Sequence, residues 1–501
     1  MENNDGYSVV VDDDDDGVGG SSRENKINQK KSIIRNKKYL FKKHNYKSVI
    51  DSLNALEFAF YNASPDKIVK EKTICLNSHF LIKDINNHNK IFYLDDKSSV
   101  YVISVGKASV KMLKSILEIF KEKVKNAILI MPKGQTLDHN YFEKKFLEKE
   151  RILIIKSSHP IPDNNSLEAS EKVIQLLSQT KGDDVIIFLI SGGASSLLVS
   201  PIGNLTLDDK KTVNKLLINC GANIKEINIV RKHLSKIKGG NMLRYINNEC
   251  CIISLILSDV VGDYLDTIGS GLTTFDESTF LDAKYVLEKY LLLNLNDYTM
   301  EKVRKIINLG TRYMIPETLK PKEFFERDVN NFIIGNNYEF CGFLIRYLKK
   351  KGYNVLYLGS GYDKHLPEFI DDSKEIVKKY LKENSCILMG GEITNTVNKN
   401  NVGRGGRNQE ALCLLLDFFC NYNPNDYSII FIGTDGIDGN TTAAGGLISP
   451  TTIEFLKRNK IEINKYTARH DSYNLLLQLY SNIFTGYTGT NFNDIYLYIR
   501  K

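Results

Sequence analysis

From about residue 46 the chain alternates short, β-branched apolar runs with longer stretches whose apolar residues recur every three or four positions. That alternation predicts an α/β fold built on a mostly parallel sheet. Tyr101–Val105 reads as a strand, and Val110, Leu113, Ile116, Leu117 and Phe120 behind it share one helical face. Val185–Ile190, Ile252–Leu257, Phe332–Ile334, Ile387–Met389 and Ile429–Ile432 are further strands. Asn165 and Glu168 have capping-box spacing ahead of a helix carrying Ala169, Val173, Leu176 and Leu177. A loose, Lys- and Asn-rich stretch over 292–330 is where the main domain boundary is expected. Residues 1–45 lack the pattern. The acidic block Asp12–Asp16, then Gly17–Ser22, then a basic stretch through Lys43 predict a solvated, disordered tail.

Composition narrows the class. With 42% hydrophobic and 25% charged residues among 501, the chain is neither wholly disordered nor a coiled coil. No apolar run approaches the roughly 20 residues of a membrane helix, so no membrane partner is expected. A net charge of +7 is small for this length and argues against a nucleic-acid coat. Eight scattered cysteines contain no C-x-x-C pair, which argues against a disulfide framework or a zinc site. The acidic block speaks against a transit peptide, and no apolar segment follows a basic start. A reducing, cytoplasmic setting is the expectation.

Five Gly-rich polar motifs directly follow predicted strands: Gly106-Lys107-Ala108-Ser109, Ser191–Ser196, Ser258–Asp263, Gly390-Gly391-Glu392 and Gly433–Gly439. Ligands of open α/β sheets bind at the carboxyl ends of strands, so these loops predict an active-site crevice. Ser191, Gly192, Gly193 and Ser195 lie in a turn suited to phosphate or carboxylate, or else simply in a tight connection. Gly106-Lys107 is not a Walker A loop, and no G-x-G-x-x-G fingerprint exists. Lys107 alone reads as a solvated turn residue, but in company with the other motifs it suits a transferring phosphoryl group. Gly403–Glu410 sets Arg404 and Arg407 in a glycine frame before a helix start near Asn408, a placement suited to phosphate or carboxylate. One such run without repeats is a poor RNA-binding signal. Asp259, Asp263, Asp435 and Asp438 are loop carboxylates suited to Mg²⁺ or to general-base work, and also to plain turns. His159 stands in a proline-stiffened segment, either reaching a substrate oxygen or serving as a rigid connection. Arg231–Ser235 with Lys238-Gly239-Gly240 either faces an anion or, by default, is a solvated helix face. Thr485–Asn491 lines the crevice or leads into an edge strand.

Together these motifs resemble the class II glycerate kinase family, whose members carry a C-terminal MOFRL domain. The matching stretches run in order: GKAS at 106–109, HPIPD at 159–163, SGGASSLL at 191–198, VRKHLS at 230–235, KGG at 238–240 and SDVVGD at 258–263, followed by SG at 270–271, GGE at 390–392, GRGGRNQE at 403–410, GTDGIDG at 433–439, AAG at 443–445 and TGT-N-ND at 488–494. The resemblance implies a two-domain α/β fold, with a larger Rossmann-like domain over 46–325 and a smaller MOFRL-containing domain over 326–501. It implies ATP-dependent phosphorylation of D-glycerate, 2-phosphoglycerate being the favoured product, with Mg²⁺ or another divalent cation. Lys107 and Arg407 fall on the family's conserved Lys and Arg. Lys107, Arg407 and Asp259 are thus the catalytic candidates. Gly106, Ser191, Gly192, Gly193, Ser195, Arg404 and Glu392 are the binding candidates, and Asp259, Asp263, Asp435 and Asp438 the metal candidates. Ala194, Leu272, Ile393, Thr442 and Tyr487 depart from the family pattern, and of these only Thr442 removes a charge. Hydroxypyruvate reduction and non-catalytic sugar-phosphate binding are the alternatives, the first opposed by the missing dinucleotide fingerprint.

Overall fold

The computed structural model describes residues 32–76, 79–86, 88–95, 97–137, 151–396 and 403–501. The Asp12–Asp16 block and the Gly17–Ser22 segment lie outside them. The strands are β1 (Thr73–Leu76), β2 (His79–Lys83), β3 (Asn89–Tyr93), β4 (Val100–Val105), β5 (Val124–Pro132), β6 (Ile152–Ser157), β7 (Val185–Ile190) and β8 (Cys251–Leu257), followed by β9 (Val329–Gly335), β10 (Asn354–Tyr357), β11 (Ser385–Gly391), β12 (Tyr427–Gly433), β13 (Gly445–Ile448), β14 (Asn482–Ile483) and β15 (Asp494–Arg500).

The first large sheet has the order β6-β5-β4-β7-β8-β9, with every pair parallel. Counted from β4 this is 3-2-1-4-5-6, the doubly wound order whose ligand crevice opens where the winding reverses. Here the reversal falls between β4 and β7. All six residues of β4 and of β7 are buried, as expected of strands covered by helices on both faces. Each such Val, Ile, Leu or Phe contributes about 1.5–3 kcal/mol. The predicted helical face behind β4 is present in Ser109–Phe120, where Leu113, Ile116, Leu117 and Phe120 are buried.

The second sheet has the order β10-β11-β15-β12-β13-β14. The pair β10–β11 is parallel, whereas β15 runs antiparallel to both β11 and β12. The amino end of β15 is therefore pinned between the carboxyl ends of its neighbours, with Asp494 opposite both Gly391 and Gly433. β15 is central, not the edge strand considered from sequence. A small antiparallel sheet, β1-β2-β3, completes the set.

Several sequence boundaries move. Residues Ile33–Lys501 form one compact unit, so the expected tail ends before residue 45. The helix Lys37–Lys43 buries Leu40, and His44 is buried with its ring nitrogens against Ser449 Oγ (2.8 Å) and the Tyr480 carbonyl (2.9 Å). Helix Lys47–Asn62 packs on helix Asn337–Lys350 and on β12 and β15. Residues 33–62 thus pack with the C-terminal sheet, whereas the sequence placed 46–62 in the first domain. β9 keeps the first sheet running to Gly335, ten residues past the expected boundary. The stretch expected to be loose holds helix Tyr298–Thr311, which buries Met300, Val303, Ile306 and Ile307. That face joins helices Leu207–Asn219, Ile224–His233 and Phe280–Lys289 in a separate apolar core. Finally, Asp163, not Asn165, caps helix Asn164–Leu177, in a reciprocal pair with Ser166.

Candidate active site

The site is assembled from strand ends. In the first sheet the turns after β4 and β7 are tied together: Lys107 N–H donates to the Gly192 carbonyl at 2.9 Å, and Ala108 N–H donates to Ser191 Oγ at 3.0 Å. The approach demands glycine. Gly106 has φ +124°, and a Cβ on it would lie 2.2 Å from Ser191 Oγ, where an L side chain is excluded. A Cβ on Gly192 would lie 2.1 Å from Asp259 Oδ2 and 2.3 Å from Asn491 Nδ2. This contact lets Asp259, just past β8, reach the loop ahead of β15.

Lys107 Nζ meets Asp435 Oδ2 at 2.7 Å, joining the rims of the two sheets. Burial opposes the Lys107 charge, but Asp435, Asp259 and Glu392 outweigh it and hold the ammonium above its ordinary pKa. Arg407 opens helix Arg407–Cys420. Its Nε meets Asp494 Oδ2 at 2.5 Å and its Nη1 meets Glu392 Oε1 at 2.6 Å. Burial again opposes the charge, and Asp494 and Glu392 overcome it. Lys107 and Arg407 are therefore linked through one set of acids: Glu392 acts on both, and Asp435 and Asp494 hold one each.

The acids differ among themselves. Asp259 accepts from Asn491 Nδ2 at 2.7 Å. Burial first, then Glu392 and Asp435, push it up to about 6 against the pull of Lys107. Asp494, 2% exposed, is pushed up to about 6, mainly by burial and despite Arg407. Asp435 Oδ1 also accepts from Ile437 N–H at 3.1 Å.

Two of the four metal candidates have other work. Asp438 is buried and accepts from the N–H groups of Asn408 (3.2 Å) and Gln409 (2.8 Å). It satisfies the orphan donors at the start of the helix that carries Arg407. Asp263 accepts from Asn336 Nδ2 at 2.6 Å. Among the described residues no three His, Cys, Asp or Glu side chains gather closely enough to hold an ion. Mg²⁺ typically needs only one or two carboxylates beside phosphate oxygens. Asp259 and Asp435, both within the electrostatic reach of Lys107, fit that smaller set.

The Ser191–Ser196 turn is partly a brace. Ser191 Oγ is spent on Ala108 N–H and on the Val105 carbonyl, and the helix that follows, Ala194–Leu197, is a single turn. The N–H groups of Gly192 and Gly193 donate to no protein acceptor among the described residues, which leaves them available to an anion. Gly193 lies against the imidazole of His159: a Cβ there would be 2.9 Å from His159 Cδ2. His159 thus stands at the crevice. Ser195 Oγ pairs with Ser270 Oγ at 3.0 Å. The Arg404 guanidinium lies 4.3 Å over the Tyr473 ring, apart from the acids that hold Arg407. Arg231–Ser235 is no solvated face: Lys232 pairs with buried Asp276 at 2.7 Å and His233 with Glu317 at 3.1 Å. Asn491 and Asp494 fall in the matching stretch at 488–494 but were given no role from the sequence. Their signal was weak, being polar residues between a Gly/Thr loop and an apolar strand.

Comparison with known proteins adds to this geometry. Residues 52–308 match the family described as a domain of unknown function, DUF4147, and residues 385–494 match the MOFRL family. A glycerate 2-kinase from Pyrococcus horikoshii is 35% identical over 409 residues, covering 80% of this chain and 88% of the relative. A D-glycerate 2-kinase from Thermotoga maritima is 33% identical, covering 79% of this chain and 89% of the relative. The crystal structure of a Thermotoga maritima glycerate kinase superposes with a TM-score of 0.71 at 30% identity, covering 90% of this chain and 99% of that one. Among the described residues no helix is long and apolar enough to cross a membrane.

Proposed function

The chain belongs to the glycerate kinase family with a C-terminal MOFRL domain, and from that premise we propose that it phosphorylates D-glycerate with ATP at the crevice around Lys107 and Arg407. The observation that carries the reading is the meeting of these two cations, from different sheets, over one set of acids. Phosphoryl transfer requires little covalent chemistry of the protein. It requires in-line positioning and neutralisation of charge on the transferring group.

The centre is held by ion pairs that phosphate can replace. Lys107 would leave Asp435, and Arg407 would share its fork between Asp494 and the γ-phosphate. The free N–H groups of Gly192 and Gly193 support the same anion. Asp259 suits the general base: one of its oxygens is held by Asn491, and a pKa of about 6 keeps it ionised at neutral pH yet basic enough to take the hydroxyl proton. Of the two carboxylates that fit a divalent cation, Asp259 is taken as the base and Asp435 would hold the ion, with Glu392 as the other partly exposed acid. That ion would neutralise phosphate charge. Phosphorylation at the 2-hydroxyl is the favoured outcome.

The test is ADP release by the purified full chain with ATP and D-glycerate, with the product identified by ³¹P NMR. Glycerate-dependent ADP and a 2-phosphoglycerate resonance are expected. No glycerate-dependent ADP, with hydroxypyruvate-dependent oxidation of NADH in its place, would replace the kinase reading with a reductase.

A further inference from the structure

Three cations near the Ser191–Ser196 turn, Lys238 buried and Lys210 and Arg231 half-buried, have no acid to balance them among the described residues. Lys238 is 2% exposed, and its Nζ donates to the carbonyls of Ser195 (2.9 Å) and Gly269 (3.3 Å). Lys210 Nζ donates to the carbonyls of Leu234 (3.0 Å) and Arg231 (3.4 Å). The Arg231 guanidinium donates from Nε to Asn214 Oδ1 at 2.8 Å and from Nη1 to Asn228 Oδ1 at 3.5 Å. All of these acceptors are neutral. Burial lowers the pKa of all three groups, Lys210 to about 7, and no acid raises any of them.

The next residue in sequence shows that the imbalance is local. Lys232 is buried and is matched by Asp276, so the fold supplies an acid one position away. A buried cation without a counter-charge is costly to the protein alone. Groups perturbed by burial in this way are candidates for a ligand site. The unmatched charge calls for an anion.

The surroundings say which anion. Arg231 reaches Asn228 Oδ1, Ser270 Oγ reaches the same oxygen at 3.4 Å, and Ser195 Oγ lies 3.0 Å from Ser270 Oγ. A guanidinium, an ammonium and two hydroxyls suit a planar carboxylate. Ser195 is three residues from Gly192, whose carbonyl holds the Lys107 backbone, so a short acid bound here keeps its hydroxyl close to the transfer centre. The nucleotide phosphates have their own cations in Lys107 and Arg407.

Resting on the kinase reading above, we propose that Arg231 and Lys238, with the hydroxyls of Ser195 and Ser270, form the subsite that binds the carboxylate of the acceptor acid. Arg231→Gln keeps a planar hydrogen-bonding group and removes the charge. It is expected to raise KM for D-glycerate about 50-fold, while KM for ATP and kcat stay within about threefold. The preference for D-glycerate over glycerol, which lacks the carboxylate, is expected to fall by the same factor, and Arg231→Lys to restore part of it. An unchanged glycerate KM, or an effect on ATP instead, would overturn the proposal. Calorimetric titration with D-glycerate separates this from the kinase reading. Wild type is expected to bind D-glycerate and not glycerol, and Arg231→Gln to lose that binding, whether or not ADP is formed. Equal binding by both proteins, or none by wild type, rejects the subsite.

Discussion

Two groups of cations flank one serine–glycine turn, and they are balanced in opposite ways. At the transfer centre every cation has an acid: Lys107 has Asp435 at 2.7 Å, and Arg407 has Asp494 at 2.5 Å and Glu392 at 2.6 Å. Around Ser195 and Ser270, Arg231, Lys210 and Lys238 bind only amide and carbonyl oxygens among the described residues. A balanced centre is self-sufficient when empty and exchanges partners when phosphate arrives, which suits a step in which charge moves. An unbalanced centre is completed by its ligand, which suits static recognition of an acid. The difference teaches that cations with similar sequence surroundings are sorted into roles by their counter-ions.

The comparison is broken most severely at Arg407. Arg407→Ala should lower kcat about 10³-fold and also destabilise the fold, because it strands Asp494, 2% exposed. Asp494 already has its pKa raised to about 6, and without the guanidinium it is raised further. A carboxyl with a raised folded-state pKa is stabilising when protonated, and that stability is lost as pH rises. The loss in thermal midpoint should therefore be larger at pH 8 than at pH 6; a pH-independent loss would show that Asp494 is not the cause.

Gly192→Ala comes next. Its new Cβ would press on Asp259 and Asn491, and displacing a reacting group by about 1 Å costs roughly 10²-fold. Steady-state kcat/KM measures it, with circular dichroism to show that the fold persists. Wild-type activity would mean that the Asp259–Asn491 contact does not matter.

The smallest effect sharpens the role of Asp259. An Asp259 pKa of about 6 predicts that kcat/KM is flat above that pH and falls about tenfold per unit below it. Asp494 titrates in the same range, so the limb belongs to both acids together. Asn491→Leu removes a donor that favours the carboxylate form and should move the limb to higher pH. A pH–rate profile of both proteins tests this, and an unmoved limb would assign the base elsewhere.

Much of this was legible in the sequence, for identifiable reasons. Residues near in sequence and at strand ends were readable: the turn holding Lys107, the turn at Ser191–Ser195 and the helix start at Arg407. Partnership across the fold was not. Arg407 and Asp494 are 87 residues apart, and their meeting depends on β15 inserting between β11 and β12. Helical spacing does not tell which sheet a helix covers, and helix Lys47–Asn62, placed with the first domain from sequence, packs on β12 and β15. The lysine-rich helix Lys37–Lys43 buries only Leu40, so it looked like tail. Asp438 was indistinguishable from a metal ligand until its carboxylate was seen holding the N–H groups of Asn408 and Gln409. Arg231 and Lys232 were alike until Asp276 was seen beside only one of them.

The central claim is that Lys107 acts on the transferring group and not on holding the acceptor. Initial-rate kinetics of Lys107→Ala against both substrates test it directly, with thermal unfolding as the control for folding. The account predicts a kcat lowered about 10³-fold, with KM for D-glycerate within a few-fold of wild type. Near-normal turnover in the folded variant, or a loss confined to the KM for D-glycerate, would contradict it.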